Sequence, residues 1–199
     1  MKTSPPLLPL LRSRLQGELL ALVLLHPERE YSLTELAREL GASHTAVMRE
    51  VNRLAETEVL TSRNVGRTRL VAVRSDTPLV RPLTELIAMS FGPVPLLTES
   101  LREIDGVERA FIYGSWAARY LGEPGQQPAD VDVLVVGSPD PDELFDAAEG
   151  AGRDLQREVN IHRVTASSWN SPTSDPFLTS VRERPLVELQ LDQGQGASP

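Results

Sequence analysis

Residues 111–122, FIYGSWAARYLG, together with residues 129–137, ADVDVLVVG, decide the fold of the second half of the chain. The first stretch predicts a strand that runs into Gly114-Ser115 and then a helix. The second predicts a buried strand with two carboxylates at its start, and the intervening residues 123–128 have the composition of a polar, flexible loop. This order of strand, Gly-Ser, helix, loop, Asp-x-Asp and strand is much more specific than either short motif alone.

The spacing of the two aspartates predicts a cation site. Asp130 and Asp132 are two residues apart in a predicted strand, so their side chains point to the same face. Adjacent carboxylates repel each other, and Mg²⁺ suits them because it is a hard cation that also binds phosphate oxygens. Gly114 and Ser115 would offer backbone N–H groups and a hydroxyl to a triphosphate. The pattern therefore predicts a site for nucleotidyl transfer by metal-ion catalysis.

Over about residues 96–165 the sequence resembles the minimal nucleotidyltransferases of the polymerase-beta superfamily. The resemblance implies that Gly114 and Ser115 bind the phosphates of a nucleoside triphosphate, and that Asp130 and Asp132 bind Mg²⁺. One departure is the loop between Ser115 and Asp130, which is longer than the family's usual one.

The family's site is completed by a third carboxylate from a neighbouring strand, and here that position is ambiguous. The strand predicted over residues 158–164 places Glu158, Asn160 and His162 on one face. Asn160 stands where the third aspartate is expected, and an amide can ligate a metal but cannot accept the proton of a 3′-hydroxyl. Glu158 substitutes if the register allows it. Otherwise the domain binds a nucleotide without turning it over.

The first half of the chain predicts three helices and a hairpin. The spacing of leucines and valines predicts a helix over residues 12–25. Ser32 and Glu35 have the spacing of a capping box, which predicts a second helix after Ser32. Ser43 predicts the start of a third helix over residues 44–57. Two helices joined by a short turn that contains glycine are typical of a helix-turn-helix.

The predicted third helix has one apolar and one polar face. Val47, Val51 and Leu54 share the apolar face. Polar side chains that could contact DNA occupy the opposite face, namely Thr45, Arg49, Asn52 and Arg53.

An arginine-rich hairpin is predicted directly after this helix. Residues 59–63 and 68–73 have the composition of strands, and residues 64–67 that of a turn. Residues 61–74 contain no acidic side chain. They carry four basic ones that favour contact with phosphates and a minor groove, Arg63, Arg67, Arg69 and Arg74.

Residues 32–54, SLTELARELGASHTAVMREVNRL, followed by this hairpin, resemble the small bacterial winged-helix repressors of the ArsR and MarR type. The resemblance covers about residues 12–75 and implies binding to double-stranded DNA. Arg49 and Asn52 are expected to reach base edges. The whole predicted DNA surface comprises Ser43, Thr45, Arg49, Asn52, Arg53, Arg63, Arg67 and Arg69. Metal sensing is not favoured, because the chain has no cysteine and three histidines.

We therefore predict two domains, an N-terminal winged helix-turn-helix, mainly α with a β-hairpin wing, and a C-terminal α/β nucleotidyltransferase-like domain with a mixed sheet. The predicted bounds are residues 1–76 and 96–192, with a disordered tail over residues 193–199. The helix predicted between prolines within residues 77–95 is either a connector or a dimer helix. A homodimer is expected, because such regulators bind two half-sites.

The charge distribution agrees with two domains that bind different partners. Residues 1–92 carry 12 basic and 10 acidic side chains, whereas residues 93–199 carry 8 and 18. A basic face on the first half can bind DNA although the whole chain has a net charge of -8, because salt screens charges beyond about 8 Å.

Other features point to a cytoplasmic protein. The longest apolar run, residues 19–25, has seven residues, whereas a membrane span needs about 20, so no membrane partner is expected. The first twenty residues lack the pattern of a signal peptide. The absence of cysteine excludes a disulfide scaffold and a thiolate metal site.

Three functional hypotheses follow. The first is a transcriptional regulator whose second domain senses a nucleotide with Mg²⁺. The second is an active nucleotidyltransferase that modifies a protein, RNA or small molecule and regulates its own gene, in the manner of an antitoxin with a toxin partner protein. The third is an interaction module in which both sites are vestigial.

Overall fold

The computed structural model describes residues 10–125, 128–171 and 175–191, which form two compact units. The first unit ends at Gly92 and the second begins at Pro93. Each unit has its own apolar core. The chain as a whole is an α/β protein with helices and a mixed sheet.

The first unit consists mainly of helices. Its elements are α1 (Arg14–Leu24), β1 (Tyr31–Ser32), α2 (Leu33–Glu39), α3 (His44–Glu56), β2 (Leu60–Val65), β3 (Thr68–Val73) and α4 (Val80–Phe91). The predicted helices are confirmed to within a residue or two at their ends. Ser32 and Glu35 form the complete capping box, and the Ser43 side chain accepts a hydrogen bond from the Ala46 N–H.

The predicted hairpin is present, with a shorter turn than expected. Strand β2 pairs antiparallel with β3, and β3 also pairs with β1. Val65 pairs with Thr68, so the turn consists of Gly66 and Arg67 rather than residues 64–67. Gly66 has a φ of +61°, a conformation that glycine adopts without strain.

The helix predicted to link the domains packs inside the first unit. Ile87 of α4 is fully buried in the core of this unit, and Phe91 contacts α1. The Phe91 ring lies so close to the backbone of Gly17 in α1 that a Cβ at this position would clash with it. The first unit therefore extends to residue 92, beyond the limit at residue 76 that the sequence suggested.

The second unit alternates helices and strands. Its elements are α5 (Pro93–Arg102), β4 (Val107–Tyr113), α6 (Gly114–Tyr120), β5 (Asp130–Gly137), α7 (Pro141–Leu155), β6 (Glu158–Val164), α8 (Ala166–Asn170), α9 (Pro176–Arg182) and β7 (Val187–Leu189). The sheet has the order β6-β5-β4-β7. Strands β5 and β6 are parallel and the other pairs antiparallel, so the predicted mixed sheet is confirmed.

Alternation along β5 fixes the two faces of the sheet. Val131, Val133 and Val135 lie on the face covered by α5 and α7. Leu134 and Val136 lie on the other face, in a core that α8 and α9 complete. Asp130 and Asp132 belong to this second face by the same alternation.

The sequence predicts that two aromatic residues of the C-terminal region, Trp169 and Phe177, both pack as core, and their outcomes differ. Trp169 packs in the core as expected, stacked on Phe111 at a centroid distance of 4.8 Å. Phe177 was predicted to do the same and does not, since it is 36% exposed. The reason is that its ring packs at the polar end of the second face, beside Tyr113 and His162. The predicted disordered tail, residues 193–199, lies outside the described residues.

Candidate functional site

The central strand β5 and its neighbours bring the predicted polar residues of the second unit together. Asp132 pairs with Tyr113 of β4 on one side and with Asn160 of β6 on the other. Two residues before Asp132 in β5, Asp130 pairs with Glu158 of β6. Paired residues of adjacent strands point to the same face, so the two aspartates, Glu158 and Asn160 form one polar group at the start of β5 and β6.

The turn between β4 and α6 touches this group. Gly114 has a φ of +72°, and a Cβ at this position would lie 2.7 Å from Oδ2 of Asp132. Glycine is therefore required here both by the backbone conformation and by the close carboxylate. Ser115, the next residue, is exposed in the first turn of α6. Gly114, the first residue of the predicted phosphate-binding pair, thus lies directly beside Asp132.

The carboxylates of this group lack a compensating charge. Burial raises the pKa of Asp132, and the nearby charge of Asp130 raises it further. A hydrogen bond from the Asn160 side chain acts in the opposite direction, whereas Glu158 adds a smaller upward effect. Among the described residues no ion pair joins Asp130 or Asp132 to a basic side chain. The site therefore holds partly buried negative charge that a cation would stabilise.

The donor set fits a Mg²⁺ ion that arrives with a nucleotide better than a metal held by protein alone. Within the described residues no three His, Asp or Glu side chains form a group able to hold a metal ion. Mg²⁺, however, is usually bound through one or two carboxylates, with water and substrate phosphates as its other ligands. Asp130 and Asp132 are such a pair, and Ser115, which follows the glycine beside Asp132, is exposed.

The register also bears on the missing third carboxylate. Asn160 lies directly beside Asp132, and its amide group donates a hydrogen bond to that carboxylate. Glu158 is exposed and lies beside Asp130. The register thus allows Glu158 to act on a group bound at the two aspartates.

Aromatic side chains adjoin the carboxylates, and sequence reasoning assigned them no role. The Tyr113 ring lies at 5.8 Å from the Phe177 ring, edge to face, and the His162 ring lies at 4.7 Å from it. Burial and the charges of Asp132 and Asp130 raise the pKa of Tyr113. Alternation along the predicted strand already places His162 on this face with Glu158 and Asn160, and alternation along β4 could have placed Tyr113 there. Phe177, in contrast, comes from a helix distant in sequence.

In the first unit, helix α3 presents the expected polar face. Val47, Val51 and Leu54 are buried, whereas Thr45, Arg49 and Asn52 are exposed. The predicted DNA-contacting residue Ser43 caps the helix. Arg69 of the hairpin donates a hydrogen bond of 2.6 Å to Oδ1 of Asn52, which connects the hairpin to the exposed face of α3.

Two of the predicted DNA-binding arginines are held by acidic partners. Arg53 is half-buried and donates to both carboxylate oxygens of Glu50 at 2.7 Å. Nε of Arg63 donates to Glu30 at 2.8 Å, and this pair lowers the pKa of Glu30 and raises that of Arg63. Arg67 differs, because it lies exposed in the hairpin turn and makes no ion pair with any residue in the described ranges.

A scan of protein-family models, a search of curated proteins and a search of solved structures each return no significant match to this chain. Within the described residues, no helix is both long and apolar enough to span a membrane.

Proposed function

We propose that the protein is a DNA-binding transcriptional regulator whose second unit binds a nucleoside triphosphate with Mg²⁺ and senses it. In this proposal the first unit is a winged helix-turn-helix domain and the second a nucleotidyltransferase-like domain. The observation that carries the proposal is the carboxylate pair Asp130 and Asp132. Asp132 lies against the glycine turn at Gly114, and no basic side chain among the described residues forms an ion pair with either carboxylate. Such a pair favours a divalent cation with an anionic ligand over either alone.

The residues of the site divide into two roles. Asp130 and Asp132 would hold Mg²⁺, which when bound neutralises phosphate charge. The Ser115 hydroxyl and the backbone at Gly114 would orient the phosphates beside the carboxylates. Asn160 keeps the Asp132 carboxylate in place through its hydrogen bond.

The proposed DNA surface rests on the shape and charge of the first unit. Helix α3 follows α2 after a short turn and exposes Arg49 and Asn52, and the β2–β3 hairpin next to it carries Arg67 at its turn. Arg49 would contact base edges, and Arg67 would contact the phosphate backbone. The hydrogen bond between Arg69 and Asn52 sets the hairpin against the helix.

We also propose that the regulator is a homodimer that pairs through α4. Leu79, Leu86 and Met89 are exposed apolar residues spaced along one side of this helix. A second copy of the chain would cover them, and a dimer would match the two half-sites that such DNA-binding domains require. Sedimentation equilibrium on the wild-type chain and a Leu86→Glu variant checks this, since the variant is expected to be monomeric.

A second candidate function is nucleotidyl transfer, which the position of Glu158 beside Asp130 favours. In that case Glu158 would take the proton from an acceptor hydroxyl, whose oxygen bonds to the α-phosphorus while pyrophosphate leaves. The function would then be that of an antitoxin-like enzyme that acts on a protein, RNA or small molecule and regulates its own gene. Transfer of label from α-labelled triphosphates, lost in Glu158→Gln, distinguishes this enzyme from a sensor.

Calorimetric titration of the full chain with nucleoside triphosphates, with and without Mg²⁺, tests the main proposal. We expect Mg²⁺-dependent binding in the wild type and none in Asp130→Ala. Asp146→Ala is the matched control, because Asp146 is an exposed carboxylate on α7, which packs on the other face of the sheet. If no triphosphate binds the wild type at millimolar Mg²⁺, the proposal is wrong.

A further inference from the structure

The ring of Phe177 lies over the central strand, next to the carboxylate pair. Tyr113 sits beside Asp132 in the sheet, and His162 sits beside Leu134. Phe177 contacts both rings, at centroid distances of 5.8 Å and 4.7 Å. A ring that touches these two neighbours must cross β5 between Asp132 and Leu134, so it borders the Asp132 side of the face.

Helix α9 holds this ring in a fixed, exposed position. The Asp175 side chain accepts hydrogen bonds from the backbone N–H groups of Phe177 and Leu178 at 2.9 Å and 3.3 Å, which fixes the start of the helix. Leu178 and Val181 are buried and anchor α9 to the sheet. Phe177 itself remains 36% exposed, whereas Trp169, on the same face, is buried. Phe177 therefore contributes less to the core than its size allows.

We propose that Phe177, with His162 and Tyr113 at its sides, forms the surface on which the base of the bound nucleotide stacks. The inference rests on the proposed function, and it specifies the ligand as a nucleotide recognised through its base rather than an inorganic polyphosphate. The distance from the carboxylates to the aromatic rings suits a nucleotide, because neighbouring residues on one face of a strand are about 7 Å apart and neighbouring strands are about 5 Å apart. A nucleotide whose phosphates lie at Asp132 and Ser115 would thus place its base within reach of these rings.

Base stacking predicts that the chain binds nucleoside triphosphates more tightly than tripolyphosphate, which has no base. Stacking of a base on an aromatic side chain changes affinity by about 5- to 150-fold and depends little on which base is stacked. The wild-type chain with Mg²⁺ should therefore bind nucleoside triphosphates more tightly than tripolyphosphate by a factor in that range. Phe177→Ala should remove the difference and leave tripolyphosphate binding unchanged.

Calorimetric titration of the full chain with Mg²⁺, using the nucleoside triphosphates and tripolyphosphate as probes, makes this test. Phe177→Leu is the companion variant, since it keeps an apolar side chain on α9 but removes the aromatic face. Phe145→Ala is the control for loss of an exposed aromatic ring, because Phe145 is 63% exposed on α7, which packs on the face of the sheet opposite to Phe177. We expect Phe145→Ala to bind every probe as the wild type does.

The outcomes separate this inference from the function on which it rests. Loss of the triphosphate preference in Phe177→Leu, with tripolyphosphate binding retained, supports the stacking surface. Wild-type triphosphate affinity in Phe177→Leu overturns it and leaves the nucleotide site in place. Equal affinity of the wild type for tripolyphosphate and triphosphates also overturns it. If the wild type binds none of the probes, the proposed nucleotide function fails and the stacking surface fails with it.

Discussion

The two units differ in whether the charged side chains of their candidate sites have partners of opposite charge. In the first unit, two of the five arginines expected to meet DNA are already paired with carboxylates, Arg53 with Glu50 and Arg63 with Glu30. In the second unit, Asp130 and Asp132 lie side by side without a basic partner among the described residues, and both are partly buried. Paired charges need no ligand to offset them, whereas a partly buried carboxylate beside another carboxylate lowers the stability of the folded state until a cation binds.

The contrast predicts that the proposed nucleotide site is more sensitive to small changes in side-chain position than the proposed DNA surface. In Gly114→Ala, the new Cβ would meet Oδ2 of Asp132 at 2.7 Å. We expect weaker binding of nucleotide with Mg²⁺, because the new Cβ would push the Asp132 carboxylate out of its position beside the turn. We also expect a loss of about 1–2 kcal/mol in the free energy of unfolding from the left-handed backbone. Calorimetry and urea unfolding measure the two effects.

Gly122→Ala is the control for this substitution. Gly122 also has a positive φ, of +91°, but a Cβ there would have no atom within 4 Å. It should lose stability to a similar extent and bind nucleotide normally. Equal binding by both variants would contradict the role given to the Gly114 turn.

Mg²⁺ should stabilise the second unit through its unpaired carboxylates. At a hundred times its Kd the ion is expected to add about 2.7 kcal/mol to the free energy of unfolding. Asp132→Asn should lose this increment, whereas Asp146→Asn should keep it. Urea unfolding over a Mg²⁺ titration makes the measurement. An equal gain in wild type and Asp132→Asn would place the ion elsewhere.

Without metal, the same carboxylate gives stability a definite pH dependence. Asp132 ordinarily has a pKa of 3.8, and burial together with Asp130 raises this pKa in the folded protein. The folded state therefore binds the proton more tightly, and stability falls as pH rises from 3.8 through the higher folded pKa. In a chelating buffer, Asp132→Asn should gain stability relative to wild type across this window. A difference that is independent of pH would contradict this origin.

In the first unit, the largest effect is expected at an arginine without an acidic partner. Arg49→Ala should weaken binding to the preferred DNA sequence by about 1–3 kcal/mol relative to other sequences. Arg53→Ala should have less effect on DNA binding, because Arg53 is held by Glu50. Genomic selection with the wild type followed by gel-shift titration of both variants measures this. A larger loss in Arg53→Ala would show that the pairing opens on DNA.

A smaller effect tests the paired arginines directly. Glu30→Ala frees Arg63, so binding to DNA of any sequence should tighten, and the slope of log affinity against log salt should steepen by about one unit. Glu85→Ala is the control, because it frees Arg81 on α4, outside the proposed DNA surface. Arg67→Ala should flatten the slope by about one unit. An unchanged slope in Glu30→Ala and Arg67→Ala would remove the hairpin from the interface.

Local patterns in the sequence were sufficient to predict most of the helices and strands. They were not sufficient to predict which side chains distant in sequence pair with each other. The capping box at Ser32 and the alternation along β5 fix a helix start and two sheet faces from a few neighbouring residues. The partner of Arg63, in contrast, is 33 residues away, and only the folded chain brings them together.

The candidate site shows the same limit. The two aspartates and their common face follow from strand periodicity, but the position of Phe177 depends on how α9 docks on the sheet. Helix α4 is a further example, because its prolines suggested a linker whereas the burial of Ile87 places it in the first core.

The central claim is that a nucleotide at Asp130 and Asp132 regulates DNA binding, and operator affinity with and without saturating nucleotide and Mg²⁺ tests it most directly. We predict a change of about 5- to 150-fold in the wild type, the usual range of coupling between two sites, and no change in Asp130→Ala. Equal operator affinity of the wild type in both conditions would contradict the claim and leave two units that act independently.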